Sequence, residues 1–368
     1  MFWFWFFVGP AILLAIAALR GERERARFVA EHLVADGDAG LPPATVVVTL
    51  DGSAANLREK LAQLSALDYP DYQLILTAGS AAEIPAGTLP PSITVVLGGV
   101  KHASERAQNL ARGVRAARKR SEVFAFASGR GHISRNWLRD LARPLANAGV
   151  GASTGYVWYT PEPPAFWSLM RSVWSAPIAG LLGPGDSPFA WDGAMAIGKQ
   201  TFFELRIAEE WQRAGDTGLA LARAVHAAGF NVAFAPGAMT ACTGHTGARE
   251  FLGQARSEMA LARVCLPRLW RGALIAHFFY CGGMAAAVTA SVYGNRGAEW
   301  ALVVQLGLGM LKGVNRAALA KAELPDREAW FKRHAWVHAL WVPLATWIWL
   351  GILAASAFSR PNRSASQV

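Results

Sequence analysis

The sequence predicts an α/β domain built on a mostly parallel sheet, with membrane-spanning helices before and after it. Two observations lead to this fold class. Between residues 44 and 236, short apolar runs alternate with segments of helical periodicity, and the runs are rich in Val, Ile and Leu without polar alternation. Such runs are typical of strands that helices cover on both faces. Long uncharged stretches, by contrast, lie near the two ends of the chain.

Three of these uncharged stretches are long enough to cross a bilayer: residues 1–19, 272–292 and 335–358. About 20 apolar residues span the hydrocarbon core, and the Trp residues of the third stretch suit the membrane interface. A fourth stretch, 300–311, is short. It could be a tilted or partly buried span, or a re-entrant segment.

The basic segments beside these stretches predict the orientation of the chain. The N-terminal stretch has no basic n-region and no Ala-x-Ala site, so we interpret it as an anchor rather than a signal peptide. The segments 20–27 and 312–335 are rich in Arg and Lys, and the positive-inside rule places both on the cytosolic side. We therefore expect an integral protein of a cell's inner membrane whose main domain lies in the cytosol.

The predicted organisation is an anchor at 1–19, a cytosolic domain at 20–271, a membrane region of two or three helices at 272–358 and a tail at 359–368. Within the domain, residues 157–185 are apolar and aromatic but interrupted by Pro. That pattern suggests a segment that lies on the membrane surface. A core helix of the domain is the alternative.

The charge and the cysteines narrow the classes of partner. The formal net charge is +10. In a membrane protein this favours a basic face toward anionic lipid head groups over binding of nucleic acid. The three cysteines show no Cys-x-x-Cys spacing, so they predict neither a disulfide framework nor a zinc site.

The middle of the chain contains the pattern of a ligand-binding sheet. Ligands of such sheets bind at the carboxyl ends of the strands. Neither a Gly-x-Gly-x-x-Gly nor a P-loop motif is present, so nothing predicts binding of a dinucleotide or ATP. The strands are expected at 44–50, 72–77, 93–97, 122–127 and 231–236, and the helices at 56–67, 103–120, 136–146, 217–230 and 248–263.

Many short segments, in the same order, resemble membrane glycosyltransferases of family 2, above all the ceramide glucosyltransferase branch with its hopanoid-associated members. The resemblance covers roughly residues 44 to 275. It implies a cytosolic GT-A domain that transfers a sugar from a nucleotide sugar to a membrane lipid. The segments include ALDYPDYQLIL (66–76), QNLARGVRAA (108–117), FASGRGHISRNWLRDLARPLA (126–146), FAWDGAMAI (189–197) and LALARAVHAAGFNVAFAPGA (219–238).

The reactive carboxylates of the family are replaced in this chain. An inverting transferase needs a carboxylate base and positive charge on the leaving group, usually from a divalent metal held by an Asp-x-Asp. The resemblance places that motif on Ser128, Gly129 and Arg130, and the acidic pair of the base on Thr217 and Gly218. Both sets are therefore missing.

The resemblance still implies residues that bind the nucleotide sugar: Arg106, Ser128 and Arg130. Guanidinium groups can neutralise a diphosphate in place of a metal. We therefore expect no metal and no other cofactor, with a nucleotide sugar as the donor substrate. A solvent-facing turn residue is the alternative for Arg130. For the nucleotide base, Glu83 is the carboxylate nearest to the expected position.

Two aspartates are the candidate catalytic residues. Asp216 lies one residue before the position of the base, and Asp192 lies in Trp-Asp-Gly. The alternative for Asp216 is an N-cap of the following helix, and for Asp192 a turn-forming Asp-Gly. Nearer the membrane, His245 could act as a base or be a structural loop residue. Arg256 could contact phosphates or lipid head groups.

Two functions remain open from the sequence. The first is a membrane glycosyltransferase with a displaced base. The second is an inactive relative that binds a membrane lipid, a nucleotide sugar or a partner enzyme without turnover. Because loss of the base and of the metal ligands each lowers the rate by orders of magnitude, impaired activity is expected. A transporter has little support, since the predicted spans contain no Asp, Glu, Lys or Arg.

Overall fold

The computed structural model describes residues 2–33, 40–50, 57–84, 87, 89, 92–98, 105–214 and 216–359. The predicted tail, 359–368, lies outside the described residues except for Ser359. The described chain forms two compact units. The sheet unit comprises residues 28–158 and 181–243, and the helical unit comprises residues up to 27 together with 159–180 and 244–359.

The strands are β1 (Ala44–Thr49), β2 (Tyr72–Ala78), β3 (Thr94–Leu97), β4 (Val123–Ser128), β5 (His132–Ile133), β6 (Val150–Thr154), β7 (Val157–Tyr159), β8 (Ala194–Gly198), β9 (Asn231–Phe234) and β10 (Thr240–Cys242). Seven of them form the central sheet in the order β3-β2-β1-β4-β8-β6-β9, and the other three form a small sheet in the order β5-β10-β7. Each of the five predicted strands is present within two residues of its expected bounds.

The helices are α1 (Phe2–Leu33), α2 (Leu57–Ser65), α3 (Glu105–Arg115), α4 (Trp137–Ala142), α5 (Phe166–Ala179), α6 (Lys199–Glu204), α7 (Ile207–Arg213), α8 (Thr217–Ala227), α9 (Ala248–Cys265), α10 (Pro267–Val292), α11 (Arg296–Glu323), α12 (Glu328–Leu340) and α13 (Val342–Ala357). The five predicted helices of the middle region correspond to α2, α3, α4, α8 and α9.

The central sheet is mainly parallel, as the sequence predicts. Pairs β1–β2, β2–β3, β1–β4 and β6–β9 are parallel, whereas β8 runs antiparallel to both β4 and β6. Strands β6 and β8 were not predicted, because their sequences, VGAST and AMAIG, are short and rich in small residues. Such text lacks the β-branched and aromatic residues that mark a strand.

Apolar side chains cover both faces of this sheet. One face packs against α2 and α4 through Leu61 and Trp137, and the other packs against α7 and α8 through Trp211 and Leu221. All four side chains are completely buried. Burial of each such side chain stabilises the fold by roughly 1.5–3 kcal/mol, which explains why the strands contain so few polar residues.

The strand register brings several chain segments together at the carboxyl edge of the sheet. Thr49, the last residue of β1, lies opposite Ser128, the last residue of β4. Because β8 is antiparallel to β4 and Ala127 pairs with Ala194, the turn before β8 lies at the same edge. Candidate residues from β1, β4 and the Trp-Asp-Gly turn are therefore neighbours.

The helical unit contains candidate membrane spans. Two helices, Trp3–Leu33 and Pro267–Val292, are long and apolar enough to cross a membrane. The segments Pro325–Leu340 and Val342–Ala357 meet this criterion together, but they are bent by 66° at the break between them. The predicted spans 1–19, 272–292 and 335–358 fall on these helices. The stretch 300–311 lies within α11, which does not meet the criterion by itself.

The segment predicted to lie on the membrane contains α5. Most side chains of this helix are buried within the helical unit. The indole of Trp174 stacks on Trp349 with ring centroids 4.6 Å apart, and Trp349 Nε1 donates a hydrogen bond to the Trp174 carbonyl oxygen at 3.0 Å. Contact of this segment with a membrane surface stays a prediction.

Candidate active site

A cluster of polar side chains lies at the carboxyl edge of the central sheet. Thr49 ends β1, Arg106 lies in the first turn of α3, and Asp192 precedes β8. Asp216 and Thr217 begin α8. Hydrogen bonds join four of these five residues. The fifth, Asp216, is close enough for its pKa to respond to Asp192.

Arg106 and Asp192 form an ion pair at the centre of the cluster. Arg106 Nε donates to Asp192 Oδ2 at 2.6 Å, and Arg106 Nη2 donates to the Asp192 carbonyl oxygen at 3.0 Å. The two side chains are only 8% and 14% exposed. A buried pair of this kind fixes both groups in place, since removal of one partner leaves the other charge uncompensated.

Two threonine hydroxyls complete the environment of this pair. Thr49 Oγ1 accepts a hydrogen bond from Arg106 Nη1 at 2.7 Å, and Thr217 Oγ1 donates to Asp192 Oδ2 at 2.9 Å. Sequence reasoning gave Thr217 only as the position of a missing acid and did not name Thr49. The available signal was position: a Thr at the end of a buried strand and a Thr at the start of a helix both direct a hydroxyl toward the ligand edge.

Asp216 is both a helix cap and a perturbed acid. Its Oδ1 accepts a hydrogen bond from the Leu219 backbone N–H at 2.8 Å, so the N-cap alternative is confirmed. Burial and, to a smaller extent, the nearby Asp192 carboxylate raise the pKa of Asp216 to about 7, while the Leu219 hydrogen bond and Arg106 each lower it by less. A carboxyl group with this pKa exchanges a proton near neutral pH.

Two glycines beside the cluster have no room for a side chain. A Cβ atom at Gly218 would collide with the Ala190 carbonyl oxygen, and at Gly193 it would collide with the Trp191 indole. No side chain fits at Gly218 unless the Trp-Asp-Gly turn moves. The turn therefore occupies the space that a side chain at Gly218 would need.

Ser128 and Arg130 lie on the turn that follows β4. Ser128 Oγ accepts a hydrogen bond from the Arg130 backbone N–H at 3.2 Å, and the Ser128 N–H donates to the Gly193 carbonyl oxygen at 3.2 Å. Arg130 is half-buried. Ser128 is thus bonded to the Trp-Asp-Gly turn, and Arg130 follows two residues later, while their binding of a nucleotide sugar stays a prediction.

Glu83 supplies a carboxylate at the end of β2, although it lies several residues after the strand. Its Oε2 accepts a hydrogen bond from the Gly79 N–H at 3.1 Å. A Cβ atom at Gly79 would collide with the carboxylates of Glu105 and Glu83. Carboxylates from two neighbouring segments therefore lie around Gly79.

The two membrane-proximal candidates belong to the helical unit. His245 is exposed on the loop before α9. Arg256 on α9 donates from Nε to Ser359 Oγ at 2.6 Å, and Arg263 donates to the carbonyl oxygens of Ala357 and Ser359. Both arginines thus contact the carboxyl end of α13, where cations are favourable. Their contact with an acceptor lipid stays a prediction.

The described residues provide no ligand set for a divalent metal. They contain no group of three or more His, Cys, Asp or Glu side chains that could hold a metal ion. The two aspartates of the cluster are the nearest approach to one, and Asp192 Oδ2 already accepts hydrogen bonds from Arg106 and Thr217. We therefore derive no chemical step through a metal.

No protein-family model matches the chain, and no curated protein matches it. Among solved structures, a mannosyltransferase from Pyrobaculum calidifontis in complex with GDP-Man and Mn2+ matches with a TM-score of 0.47 and 17% identity, over 95% of this chain and 97% of its own. A glucosyl-3-phosphoglycerate synthase from Mycobacterium tuberculosis, solved with Mn2+ and UDP, matches with a TM-score of 0.39 and 15% identity, over 62% and 80%. These neighbours are glycosyltransferases, but similarities of this size assign no activity to this chain.

One sequence prediction needs correction. We expected no metal cofactor, yet several of the solved structures that match the chain contain Mn2+ together with UDP or GDP-Man. The prediction was drawn from the replaced Asp-x-Asp alone, and loss of one motif does not exclude a metal that substrate phosphates help to bind.

Proposed function

We propose that this protein is a membrane glycosyltransferase that transfers a sugar from a nucleotide sugar to a hydroxyl group of a membrane lipid. The observation that carries the proposal is Asp216. Its carboxyl group lies at the ligand edge of the sheet, beside the Arg106–Asp192 pair, with a pKa raised to about 7. A general base works best when its pKa lies near the operating pH.

In this proposal Asp216 accepts the proton of the acceptor hydroxyl as its oxygen bonds to the anomeric carbon of the sugar, and the bond from that carbon to the nucleoside diphosphate breaks so that the nucleoside diphosphate leaves. Asp192 is already engaged by Arg106 and Thr217, so Asp216 is the carboxyl group that is left to exchange a proton. The Leu219 N–H holds Asp216 Oδ1 in place. The Arg106–Asp192 pair positions the two acids, and the Asp192 carboxylate keeps the proton affinity of Asp216 high.

The donor would bind along the same edge. Arg130 on the turn after β4 would neutralise the diphosphate by charge-assisted hydrogen bonds, together with the backbone of the Ser128–Gly129 turn. Glu83 at the end of β2 would accept hydrogen bonds from the nucleoside. This assignment is supported by the position of the three segments at the carboxyl ends of β2 and β4.

The acceptor would come from the bilayer, and we propose that α11 lies in it as well. Large apolar side chains face outward along this helix at Trp300, Val303, Val304, Met310, Leu311 and Val314. Two of its basic residues lie in ion pairs instead: Arg316 lies 2.7 Å from Glu22, and Lys321 lies 2.8 Å from Glu328. Paired charges and an apolar outward face are what a lipid environment requires.

A second function is favoured by one observation. The carboxylate of Asp192 is already held in an ion pair with Arg106, and there is no room for an acidic side chain at Gly218. A protein that binds a nucleotide sugar or lipid without turnover would have this arrangement if Asp216 served only as a helix cap. Binding without transfer distinguishes this function from the first.

The test is a transfer assay on the purified full-length protein with a panel of labelled nucleotide sugars and total membrane lipids, with binding of each nucleotide sugar measured in parallel. Asp216→Asn keeps an oxygen for the Leu219 cap but cannot accept the proton. We expect it to retain nucleotide binding and to lose transfer by roughly 100-fold or more. Asp68→Asn, on a carboxylate whose side chain is 58% exposed, is the matched control.

Three results would decide between the functions. Transfer by the native protein that is lost in Asp216→Asn supports the proposal. Binding without transfer by the native protein supports the inactive relative. Transfer that is equal in the native protein and in Asp216→Asn would reject Asp216 as the base.

A further inference from the structure

Contacts within the helical unit fix the directions of its three longest helices. Ala287 near the end of α10, Ala298 at the start of α11 and Phe4 at the start of α1 belong to one apolar cluster. Further along α1, Glu22 lies 2.7 Å from Arg316 of α11. Phe4 and Glu22 are 18 positions apart, as are Ala298 and Arg316, and such a length of helix spans about 27 Å, close to the thickness of a bilayer core. The start of α10 and the end of α11 therefore lie on one side of the membrane.

Helix α12 runs back along α11 from that side. Lys321 Nζ, near the end of α11, lies 2.8 Å from Glu328 Oε1 at the start of α12. Further along α12, the carbonyl oxygen of His338 lies against Gly313, where an added Cβ atom would collide with it. The contacts thus move back along α11 as α12 proceeds. Helix α12 therefore leads from the membrane surface into the apolar region.

Helix α13 returns to the same side along α10. The Trp349 ring stacks on His277 with ring centroids 5.2 Å apart. Two turns later, Ser356 Oγ accepts a hydrogen bond from Trp270 Nε1 at 3.0 Å, and Trp270 lies in the first turn of α10. The end of α13 is therefore on the side where α10 begins, which is also the side where α12 begins.

The outward surface of α12 and α13 is apolar. Residues 334–359 contain no Asp, Glu, Lys or Arg, and the exposed Lys332 and Arg333 directly precede them. Four large side chains are between 44% and 55% exposed, and they follow one another at the spacing of a helix face. An exposed apolar surface of this kind marks contact with a protein or a membrane. These side chains form the apolar stripe: Trp336, Leu340, Leu344 and Trp347.

We propose that α12 and α13 form a re-entrant arch, which enters and leaves the bilayer on the side where α10 begins, and that the apolar stripe is its contact surface for the lipid tails of that leaflet. In the arch, unlike the predicted span 335–358, the chain leaves the membrane on the side where it entered. The inference rests on the crossing of α11 proposed above, but not on transferase activity.

The bend between the two helices agrees with an arch of this depth. The helices meet at 66°. If both are inclined equally, each makes about 33° with the membrane surface, and helices of 13 and 16 residues then reach about 10–13 Å deep. One leaflet of the hydrocarbon core is roughly 15 Å thick. The arch therefore ends within the leaflet that it enters.

Cysteine labelling of the full-length protein in sealed vesicles tests the arch. Cys265 is exposed directly before α10 and is the internal reference. Tyr293→Cys, Ala322→Cys and Phe358→Cys, made one at a time at exposed positions, mark the turn after α10, the end of α11 and the end of α13. A membrane-impermeant maleimide is added from one side, and peptide mass spectrometry measures the labelled fraction of each cysteine.

We expect Ala322→Cys and Phe358→Cys to be labelled from the same side as Cys265, and Tyr293→Cys from the opposite side. Labelling of Phe358→Cys from the side of Tyr293→Cys would overturn the arch and leave α11 as a span. Labelling of Ala322→Cys from that side would overturn the crossing of α11 and the arch with it. Neither result depends on whether the protein transfers a sugar.

A second arm tests the apolar stripe in proteoliposomes of the purified protein. Spin labels are placed at Leu340→Cys and, as the matched control on the same helix, at Lys332→Cys, with Cys242 and Cys265 replaced by Ser. Oxygen concentrates in lipid and a nickel chelate in water, so we expect relaxation at Leu340 to respond more to oxygen and relaxation at Lys332 more to nickel. A larger nickel response at Leu340 would show that the stripe faces water. A response to neither would show that a protein surface, such as a second copy, covers the stripe, and either result would overturn the proposal.

Discussion

At the scale of single residues, the candidate site depends on the different environments of two carboxyl groups, those of Asp192 and Asp216. Asp192 shares a buried ion pair with Arg106, whereas Asp216 accepts only backbone hydrogen bonds in a buried position. Two carboxylates that differ in this way can take different roles in one site. Three expectations follow at this scale, for the acid, for the ion pair and for the turn.

Asp216→Asn should remove a pH dependence of stability. The pKa of Asp216 is raised in the folded protein to about 7 from an ordinary 3.8. Its contribution is therefore fully present below pH 3.8 and is lost as the pH rises through 7. The free energy of unfolding of the native protein should fall relative to that of the variant between pH 5 and 8, by roughly 3 kcal/mol at most, because about two pH units of this range lie below the raised pKa. Parallel curves would contradict a raised pKa.

Arg106→Met should destabilise the fold by about 3–5 kcal/mol, because it leaves the Asp192 carboxylate buried without its partner. The double variant Arg106→Met with Asp192→Leu should recover a large part of that loss. Urea melts measured by Trp fluorescence report both effects. Arg213→Met, which breaks a pair with Glu210 at the surface, is the control and should change stability by less than about 1 kcal/mol.

Arg130→Ala tests the cation of the diphosphate site. We expect it to weaken binding of a nucleoside diphosphate about tenfold, the usual value of a hydrogen bond to a charged group, and to leave binding of the nucleoside unchanged. Raised salt should weaken binding by the native protein more than by the variant, since screening acts on the charge that the variant lacks. Isothermal titration measures both, and unchanged diphosphate binding would reject Arg130.

At the scale of secondary-structure elements, the packing of α11 is set by small residues on its buried face. Gly309, Gly313 and Ala317 recur at every fourth position there, which lets neighbouring helices approach closely. Gln305, on the same face, donates from Nε2 to the Tyr280 carbonyl oxygen at 2.6 Å. Both features are typical of helices that pack in a membrane, where apolar side chains alone provide little attraction between helices.

Gly313→Ala should destabilise the helical unit, whereas Gly307→Ala should not. A Cβ atom at Gly313 would collide with the His338 carbonyl oxygen, but at Gly307 it meets nothing within 4 Å. Overpacking of this kind lowers stability by roughly 1–3 kcal/mol, and Ala favours a helix over Gly at both positions. Thermal melts in detergent give the comparison. An equal response of the two variants would show that the α11–α12 packing differs from that described.

At the scale of the whole molecule, two helices are apolar and long enough to cross a membrane, and they lie on either side of the sheet unit in the sequence. The Arg-rich flank of the first helix predicts that the intervening residues are cytosolic. Orientation also decides which nucleotide pool the candidate site meets, so it bears directly on the proposed donor.

Protease added to right-side-out membrane vesicles should leave residues 28–243 intact, and protease added to inverted vesicles should cut them. The reason is the excess of Arg at 20–27, which favours the cytosolic side. Immunoblotting with an antibody to the sheet unit measures the outcome, and detergent-opened vesicles control for access. The opposite pattern would reject the orientation.

The sequence by itself determined the strands β1 to β4 and β9, the helices α2, α3, α4, α8 and α9, and the helix cap at Asp216. Each depends on neighbours within one segment: apolar runs fix buried strands, and an Asp before a helix caps it. The resemblance also located the turn Ser128–Arg130, at the carboxyl end of β4. It could not show that Asp192 would be bound by Arg106, which lies 86 residues away in the chain.

Only the tertiary structure decided the site. The antiparallel insertion of β8 brings the Asp192 turn against the ends of β1 and β4, and this pairing depends on contacts between distant segments. The hydroxyls of Thr49 and Thr217 can bond to Arg106 and Asp192 only because the fold brings these segments together. A raised pKa at Asp216 likewise follows from burial and from a neighbouring charge. Desolvation and Coulomb energy depend on distance in space, and local sequence does not specify that distance.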